Sequence, residues 1–476
     1  LIDKSEIMDF SREFGLAANV IEKDYVLGWI LAGISNHNET GSSWIFKGGI
    51  CLKKCYFETY RFSEDLDFTI PDPAHLDKYF LVKCFREIAE WVYNSAGIEI
   101  PQELINFDVY DNNRGGMSAQ GRIGYRGPMQ KRGDLPRIKL DLTNDEILVL
   151  EPSLTEVHHP YSDIPDKGIQ IRGYCFEEVF AEKIRALAER ERPRDLYDVV
   201  HLYRHDELKP DQSLILSTVE KKCEFKKIPV PTMDTFKNRS EHEELEAEWG
   251  NMLAHQLPAL PPFEQFWGEL PEVMEWLHGA IVKVVKEAIP LGKVLIDETW
   301  QPPSMAQVWH TKAPLEKIRF AAINRLCVNL YYKNSYRLIE PYSLRRSKAG
   351  DLLLFALRHK TGKWRAYRID RIQSADVTNT TFIPRHPIEL TSVGPMSAPM
   401  LTRSSDGFSI FSPNIKSPTV KHSKSRRPSL EPRHVFKCAV CGKQFTHKTY
   451  NSILNPHKNK QGYPCPGRTG VFIKTK

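Results

Sequence analysis

Four residues, Asp65-Leu66-Asp67-Phe68, do most to limit the fold, and they close the run KGGICLKKCYFETYRFSEDLDF at 47–68. In an extended strand, residues i and i+2 point to the same side. Asp65 and Asp67 therefore project together, with Leu66 and Phe68 turned to the core. Two adjacent carboxylates repel, and burying them without a partner is costly. A divalent cation resolves the conflict, because Mg²⁺ takes one or two carboxylates together with phosphate oxygens. Lys47, Gly48 and Gly49 stand just before, at the end of the short strand SSWIFKGG. Glycine lets the backbone approach a phosphate, and the helix expected over ICLKKCYF would offer free N–H groups at its start. The plainer reading is turn chemistry followed by a surface strand with two acids.

Later residues favour the first reading. In PRIKLDLT, Ile138 and Leu140 face one way while Lys139 and Asp141 face the other. A third carboxylate from a neighbouring strand would complete a two-metal clamp for phosphoryl transfer, with Asp141 helping to deprotonate the attacking hydroxyl. FEEVFAEKIRALAERERPRDLYDVV then brings Lys183, Arg194, Asp195 and Asp198. Lys183 lies among Phe180, Ile184 and Leu187, so its stem follows apolar surface while its ammonium can reach a cleft and hold a triphosphate. Asp195 and Asp198, three apart, share one helix face. Surface salt bridges are the commoner use of such residues.

Elements alternate between helix and strand to about residue 220, which predicts an α/β domain with a mixed sheet. The domain plan is a core over 1–224, a helical extension over 225–310, a small β domain over 311–390, a Pro/Ser-rich basic linker over 391–432 and a metal-binding module over 433–476. The β domain is expected to open with a helix over LEKIRFAAINRLCVNLYY and to turn at Thr361-Gly362.

VIEKDYVLGWIL, FKGGICLKK, RFSEDLDF and AEKIRALAERERPRDLYDVV, in that order, resemble the AbiEii/AbiGii group of nucleotidyltransferase toxins over about residues 1–300. The resemblance implies a polymerase-beta-like nucleotidyltransferase core with a helical C-terminal half, an NTP substrate and Mg²⁺. It also implies a toxin of a toxin–antitoxin or phage-defence pair, with a cognate antitoxin encoded nearby and, for some members, the 3′ end of tRNA as acceptor. Carried onto this chain, Gly48 and Gly49 would cradle phosphates and Asp65 and Asp67 would hold metal. Ser63 stands where the family has a serine beside the first aspartate. Lys183 matches the motif lysine, and Asp195 or Asp198 the distal acid. The stretch 337–382 carries a resemblance, over about 80 residues, to a degenerate WYL domain, an Sm-like small β-barrel. There Arg345, Arg346, Arg365, Arg368 and Arg371 alternate with Tyr342, Trp364 and Tyr367, a pattern suited to phosphates and stacked bases.

Cys438-x₂-Cys441 has the knuckle spacing of a Zn²⁺ site, with His447, His457 and Cys465 as candidate partners. The set Cys438, Cys441, His457 and Cys465 would be closed and structural. Charge follows this division. From Thr391 to Lys476 there are 15 Lys and Arg against Asp406 and Glu431, a net of +13, so the rest sums to −7 in a chain of +6. An acidic body with a basic tail points to a polyanion partner. Nine scattered cysteines argue for a reducing cytoplasm, and no apolar run approaches a membrane span. The expectation is a cytoplasmic, Mg²⁺-dependent nucleotidyltransferase toxin acting on RNA, most plausibly tRNA. A protein or small-molecule acceptor, or a nucleic-acid-binding regulator with an inactive core, are the alternatives.

Overall fold

A computed structural model describes residues 1–111, 115–131, 133–205, 208, 210–236, 239–283, 286–300, 315–390, 434–447, 452, 454, 457–458, 464–467 and 469–475. The expected linker 391–432 lies outside them. The chain divides into two compact units, 1–403 and 404–476.

The first unit opens with α1 (Lys4–Phe14) and α2 (Ala18–Asn36), then β1 (Ile45–Lys47). The short α3 (Gly48–Cys51) continues as a wider π-type turn over Leu52–Tyr56 before β2 (Asp65–Thr69). After α4 (Lys78–Ala96) come β3 (Ile105–Asp111), β4 (Met117–Gly124), β5 (Arg137–Thr143), β6 (Ser153–Glu156) and β7 (Gln170–Gly173). These strands form one mixed sheet in the order β3-β4-β5-β2-β1-β7-β6. The β2/β5 and β1/β7 pairs are parallel.

Alternation along the strands sorts the sheet into two faces. Leu66, Leu140 and Phe107 are buried on one face, where Gly121 leaves room for the Phe107 ring. Helix α4 covers that face, and Phe85 lies 5.0 Å from Phe107, centroid to centroid. The other face is polar and carries the rows developed below.

Helices α5 (Phe176–Arg190), α6 (Pro193–Tyr203), α7 (Gln212–Lys226), α8 (Arg239–Leu253) and α9 (Phe263–Leu277) follow, with Pro193 at the first turn of α6 as its fixed φ favours. Beyond them, α10 (Leu315–Ile323) leads into β8 (Leu326–Tyr332), β9 (Ser335–Arg346), β10 (Leu352–Arg358), β11 (Lys363–Arg368) and β12 (Ile372–Thr381). The expected long opening helix therefore stops nine residues in. Arg325 takes a positive φ of 55°, and the alternating Leu326, Val328 and Leu330 then fit a strand better than a helix. The five strands form an antiparallel sheet in the order β11-β10-β9-β8-β12, and the turn at Thr361-Gly362 joins β10 to β11 as expected. One apolar cluster runs from Ile2 to Leu390, so the seven-stranded sheet, the helices and this second sheet share a core.

The second unit holds β13 (His434–Cys438), β14 (Gln444–His447) and β17 (Gly470–Thr475) as a three-stranded sheet. The strands β15 (His457–Lys458) and β16 (Pro464–Cys465) pair separately. Its apolar core consists of Phe436, Cys438, Leu454 and Cys465. Among the described residues no helix is long and apolar enough to cross a membrane.

Candidate active site

Sheet register builds the site. Across the polar face one row reads Asp65, Lys139, Arg122, Asn106, and the next reads Lys47, Asp67, Asp141, Gln120, Asp108. Asp67 and Asp141 are direct neighbours on parallel strands, and Asp65 lies on the same face two residues back. The three expected carboxylates thus come together. Lys139 bridges two of them, with Nζ 2.7 Å from Asp141 Oδ2 and 3.9 Å from Asp65 Oδ2. Gln120 Nε2 donates to the other Asp141 oxygen at 3.3 Å, and Arg122 holds Gln120 Oε1 at 2.6 Å.

The Asp67 carboxylate rests against the backbone of Gly48. A Cβ there would lie 2.1 Å from Asp67 Oδ2, and Gly48 has a φ of +82°. Only glycine fits both demands. At Gly49 the constraint is one of space alone, since a Cβ would come within 2.7 Å of the Arg61 guanidinium. Burial pushes the Asp67 carboxyl up to about 6; Lys47 opposes the rise and Asp141 adds to it. Burial also raises Asp65, against the pull of Lys139. Lys47 itself is buried, with Nζ 3.7 Å from Glu146. Ser63 lies half-buried on the approach to β2.

Lys183 emerges from α5 with its charge close enough to act on Asp67. It is held by Asp198 at 2.7 Å and Asp195 at 3.9 Å. This changes the reading of the two helix acids. Asp198 is fully buried, and Arg61 grips both of its oxygens, Nε and Nη2 each at 2.7 Å, while the Tyr60 hydroxyl donates to Oδ1. Burial opposes its ionisation, yet Arg61 and Lys183 hold the carboxyl well below the usual range. Asp195 is held in the same two-pronged way by Arg190, at 2.7 and 2.9 Å. Both acids position cations, with no oxygen turned to a ligand. Arg194, from the same helix, is half-buried and feels Asp65, and among the described residues no carboxylate lies within 4 Å of it.

Sequence reasoning passed over several of these groups. Lys139 shared a face with Asp141 but received no role. Arg61 stood inside a quoted motif, and its partner Asp198 lies 137 residues away, a separation no local pattern reports. Lys23 contacts Glu64 at 2.8 Å beside Asp65. Asp24 forms a buried pair with Lys54 at 2.7 Å that pins α2 to the turn following Gly48.

The second sheet gives the expected nucleic-acid-binding arginines acidic partners at three of five positions. Arg345 pairs with Glu389, Arg346 with Asp297, and Arg368 with Asp351 and Asp370. Tyr342 and Tyr367 are buried, so their faces pack in the core and do not stack bases. Arg365 and Arg371 remain exposed. In the second unit, Cys438, Cys441, His457 and Cys465 bring their ligand atoms within 4.8 Å of one another. Cys438 and Cys465 sulfurs are 3.8 Å apart, and Cys441 Sγ lies 3.2 Å from His457 Nε2. A Cβ on Gly467 would strike the Cys438 sulfur. The side chain of His447 lies outside the described residues. Of the described His, Cys, Asp and Glu groups, this is the one set that closes so tightly; Lys139 occupies the comparable place in the aspartate cluster.

Comparison with known proteins bears on the first unit. No curated protein sequence matches. Among solved structures, the chain is similar to MenT4, a nucleotidyltransferase toxin from Mycobacterium tuberculosis H37Rv, at 18% identity and a TM-score of 0.41, covering 58% of this chain and 90% of that one. Residues 314–377 match the WYL domain family. Residues 29–276, more than half of the chain, match the family of AbiEii nucleotidyl transferase toxins of type IV toxin–antitoxin systems, a span that holds Gly48, Gly49, Asp65, Asp67, Asp141 and Lys183, and the chain belongs to that family.

Proposed function

We propose that this nucleotidyltransferase toxin moves a nucleotide from Mg²⁺–NTP onto the 3′ hydroxyl of an RNA, most plausibly a tRNA, in the cytoplasm, and that a cognate antitoxin restrains it. The observation that carries the reading is the placement of Asp67 and Asp141 as in-register neighbours, with Asp65 beside them and Lys47, Lys183 and Arg194 around them. The acidic trio fits a divalent cation, since burial leaves Asp67 short of compensating charge and Gly48 keeps the space beside it clear of any side chain. Asp65, Asp67 and Asp141 would hold the ion, which when bound offsets triphosphate charge.

The remaining work falls to the chain itself. Lys183, fixed from behind by Asp198, presents a point charge to the phosphates, and Arg194 adds a fork from the adjoining helix. Lys47, Gly48, Gly49 and Ser63 frame the triphosphate. Asp141, braced by Gln120, takes the proton as the RNA oxygen bonds to the α-phosphorus and the bond to pyrophosphate breaks. Catalysis is then mostly positioning and charge stabilisation. Exposed Arg365 and Arg371 and the basic tail raise the local concentration of RNA.

Incubation with labelled NTPs, total RNA and lysate protein tests the reading. Label in RNA, lost in Asp67→Ala and Lys183→Ala variants that also relieve growth arrest, is the expected result. Label in protein or small molecules moves the acceptor, and no transfer with any NTP favours a regulator with an inactive core. The cysteine–histidine cluster fits Zn²⁺ as a structural staple, because among the described residues its thiols Cys438 and Cys465 are themselves core side chains of the unit. Metal analysis should find one zinc per chain, and a Cys438→Ser chain that still folds this unit without zinc would refute the assignment.

A further inference from the structure

We propose that Lys139 is a built-in counter-ion of the acidic cluster, displaced by the divalent cation only when nucleotide arrives, so that metal binding is made dependent on NTP. The inference rests on the nucleotidyl-transfer reading above and adds a residue with no assigned role.

Three observations support it. Lys139 stands in register opposite Asp65, one strand away, so its ammonium hangs over the gap between Asp65 and Asp141. It touches both, at 3.9 and 2.7 Å. Second, the Asp141 carboxylate is held from two sides, by Lys139 on Oδ2 and by Gln120 on Oδ1, with Arg122 bracing Gln120. The carboxylate oxygens keep lone pairs for a metal, but the ammonium of Lys139 repels a cation for as long as it stays in place. Third, Asp67, one row further on, has no lysine or arginine nitrogen within 4 Å among the described residues. The three carboxylates are therefore unequal. Asp67 is open to a cation, while Asp65 and Asp141 share the single charge of Lys139.

The consequence is a competition. A metal arriving alone gains Asp67 but must break two ammonium contacts to gain the others. A metal arriving with a triphosphate brings new anionic oxygens, and these give the displaced ammonium a partner within the sweep of its four-carbon stem. The charge Lys139 gives up on the carboxylates is recovered on the phosphates, so metal and nucleotide bind each other's state more tightly than either binds the free protein.

Calorimetric titration of the full chain with Mn²⁺, alone and with a non-hydrolysable NTP analogue, tests this. The parent is compared with Lys139→Met, Lys139→Gln and Lys139→Arg, and an Asp67→Ala chain subtracts binding elsewhere, including at the cysteine–histidine cluster. Lys139 is partly exposed, and thermal melting confirms that each variant is folded. Expected is Mn²⁺ binding about tenfold tighter without nucleotide in the Met and Gln variants, with most of the nucleotide dependence gone and the Arg variant like the parent. Equal affinity for Mn²⁺ alone in parent and Met variant overturns the proposal while leaving the transferase reading intact. No Asp67-dependent binding in any chain, with or without nucleotide, overturns both.

Discussion

Two sets of aspartates lie on either side of Lys183 and have opposite fates. Asp65, Asp67 and Asp141 project from strands onto a polar face, one lysine serves two of them, and burial raises the carboxyl groups of Asp65 and Asp67. Asp195 and Asp198 project from α6 into the interior, each is gripped by an arginine through two nitrogens, and Asp198 is held well below the usual range. The residue type is the same in both places. What differs is the supply of donors. Asp198, gripped on both oxygens by buried cations, is scaffold; Asp67, with no lysine or arginine nitrogen within 4 Å among the described residues, is available for chemistry. Lys183 joins the two sets, because Asp198 fixes the ammonium whose charge acts on Asp67.

The contrast breaks if the two sets respond alike to substitution. The largest expected effect is Asp198→Ala, which leaves Arg61 and Lys183 buried without a counter-charge and costs about 3–5 kcal/mol of stability, read by urea unfolding. Transfer then falls with folding. Asp67→Asn is expected to do the reverse: transfer falls about 10²–10³-fold, while the unfolding midpoint holds or rises. A large loss of stability in Asp67→Asn, or an Asp198→Ala chain as stable as the parent, would erase the distinction.

Much of this was legible in the sequence, and the reason is periodicity. The i, i+2 rule put Asp65 with Asp67 and Lys139 with Asp141, and the sheet obeyed it row by row. The two glycines before the helix stood out in the sequence as a phosphate cradle; the crowding of Gly48 by Asp67 and of Gly49 by Arg61 needs coordinates. The helix acids could not be sorted because three-residue spacing shows only a shared face, and the arginine that decides their state arrives from 137 residues away. The same limit applied to the second sheet. Arginines read as forks for phosphates are paired with Asp297, Asp351 and Glu389, all of which lie outside the strands that carry the arginines. The cysteine–histidine set was readable because metal-ligand spacing is itself a local pattern.

The smallest effect, and the sharpest on the comparison, is the pH dependence. With a folded pKa near 6 against an ordinary value of 3.8, Asp67 keeps a proton that the unfolded chain has released between those two pH values. Its contribution to stability therefore falls as pH rises through that window. Asp198 acts in the opposite sense: its pairing stabilises the fold above the ordinary carboxylate range and is lost as pH drops below it. Asp67→Asn should flatten the slope between about pH 4 and 6 while the acid-side loss from Asp198 persists. The same ionisation governs chemistry in the free enzyme, where kcat/KM for NTP should climb roughly tenfold per unit up to about pH 6 and level off above it. A kcat/KM profile that is flat from pH 5 to pH 8 would mean that Asp67 is already compensated, as Asp198 is, and that the sheet and helix acids do not differ in kind.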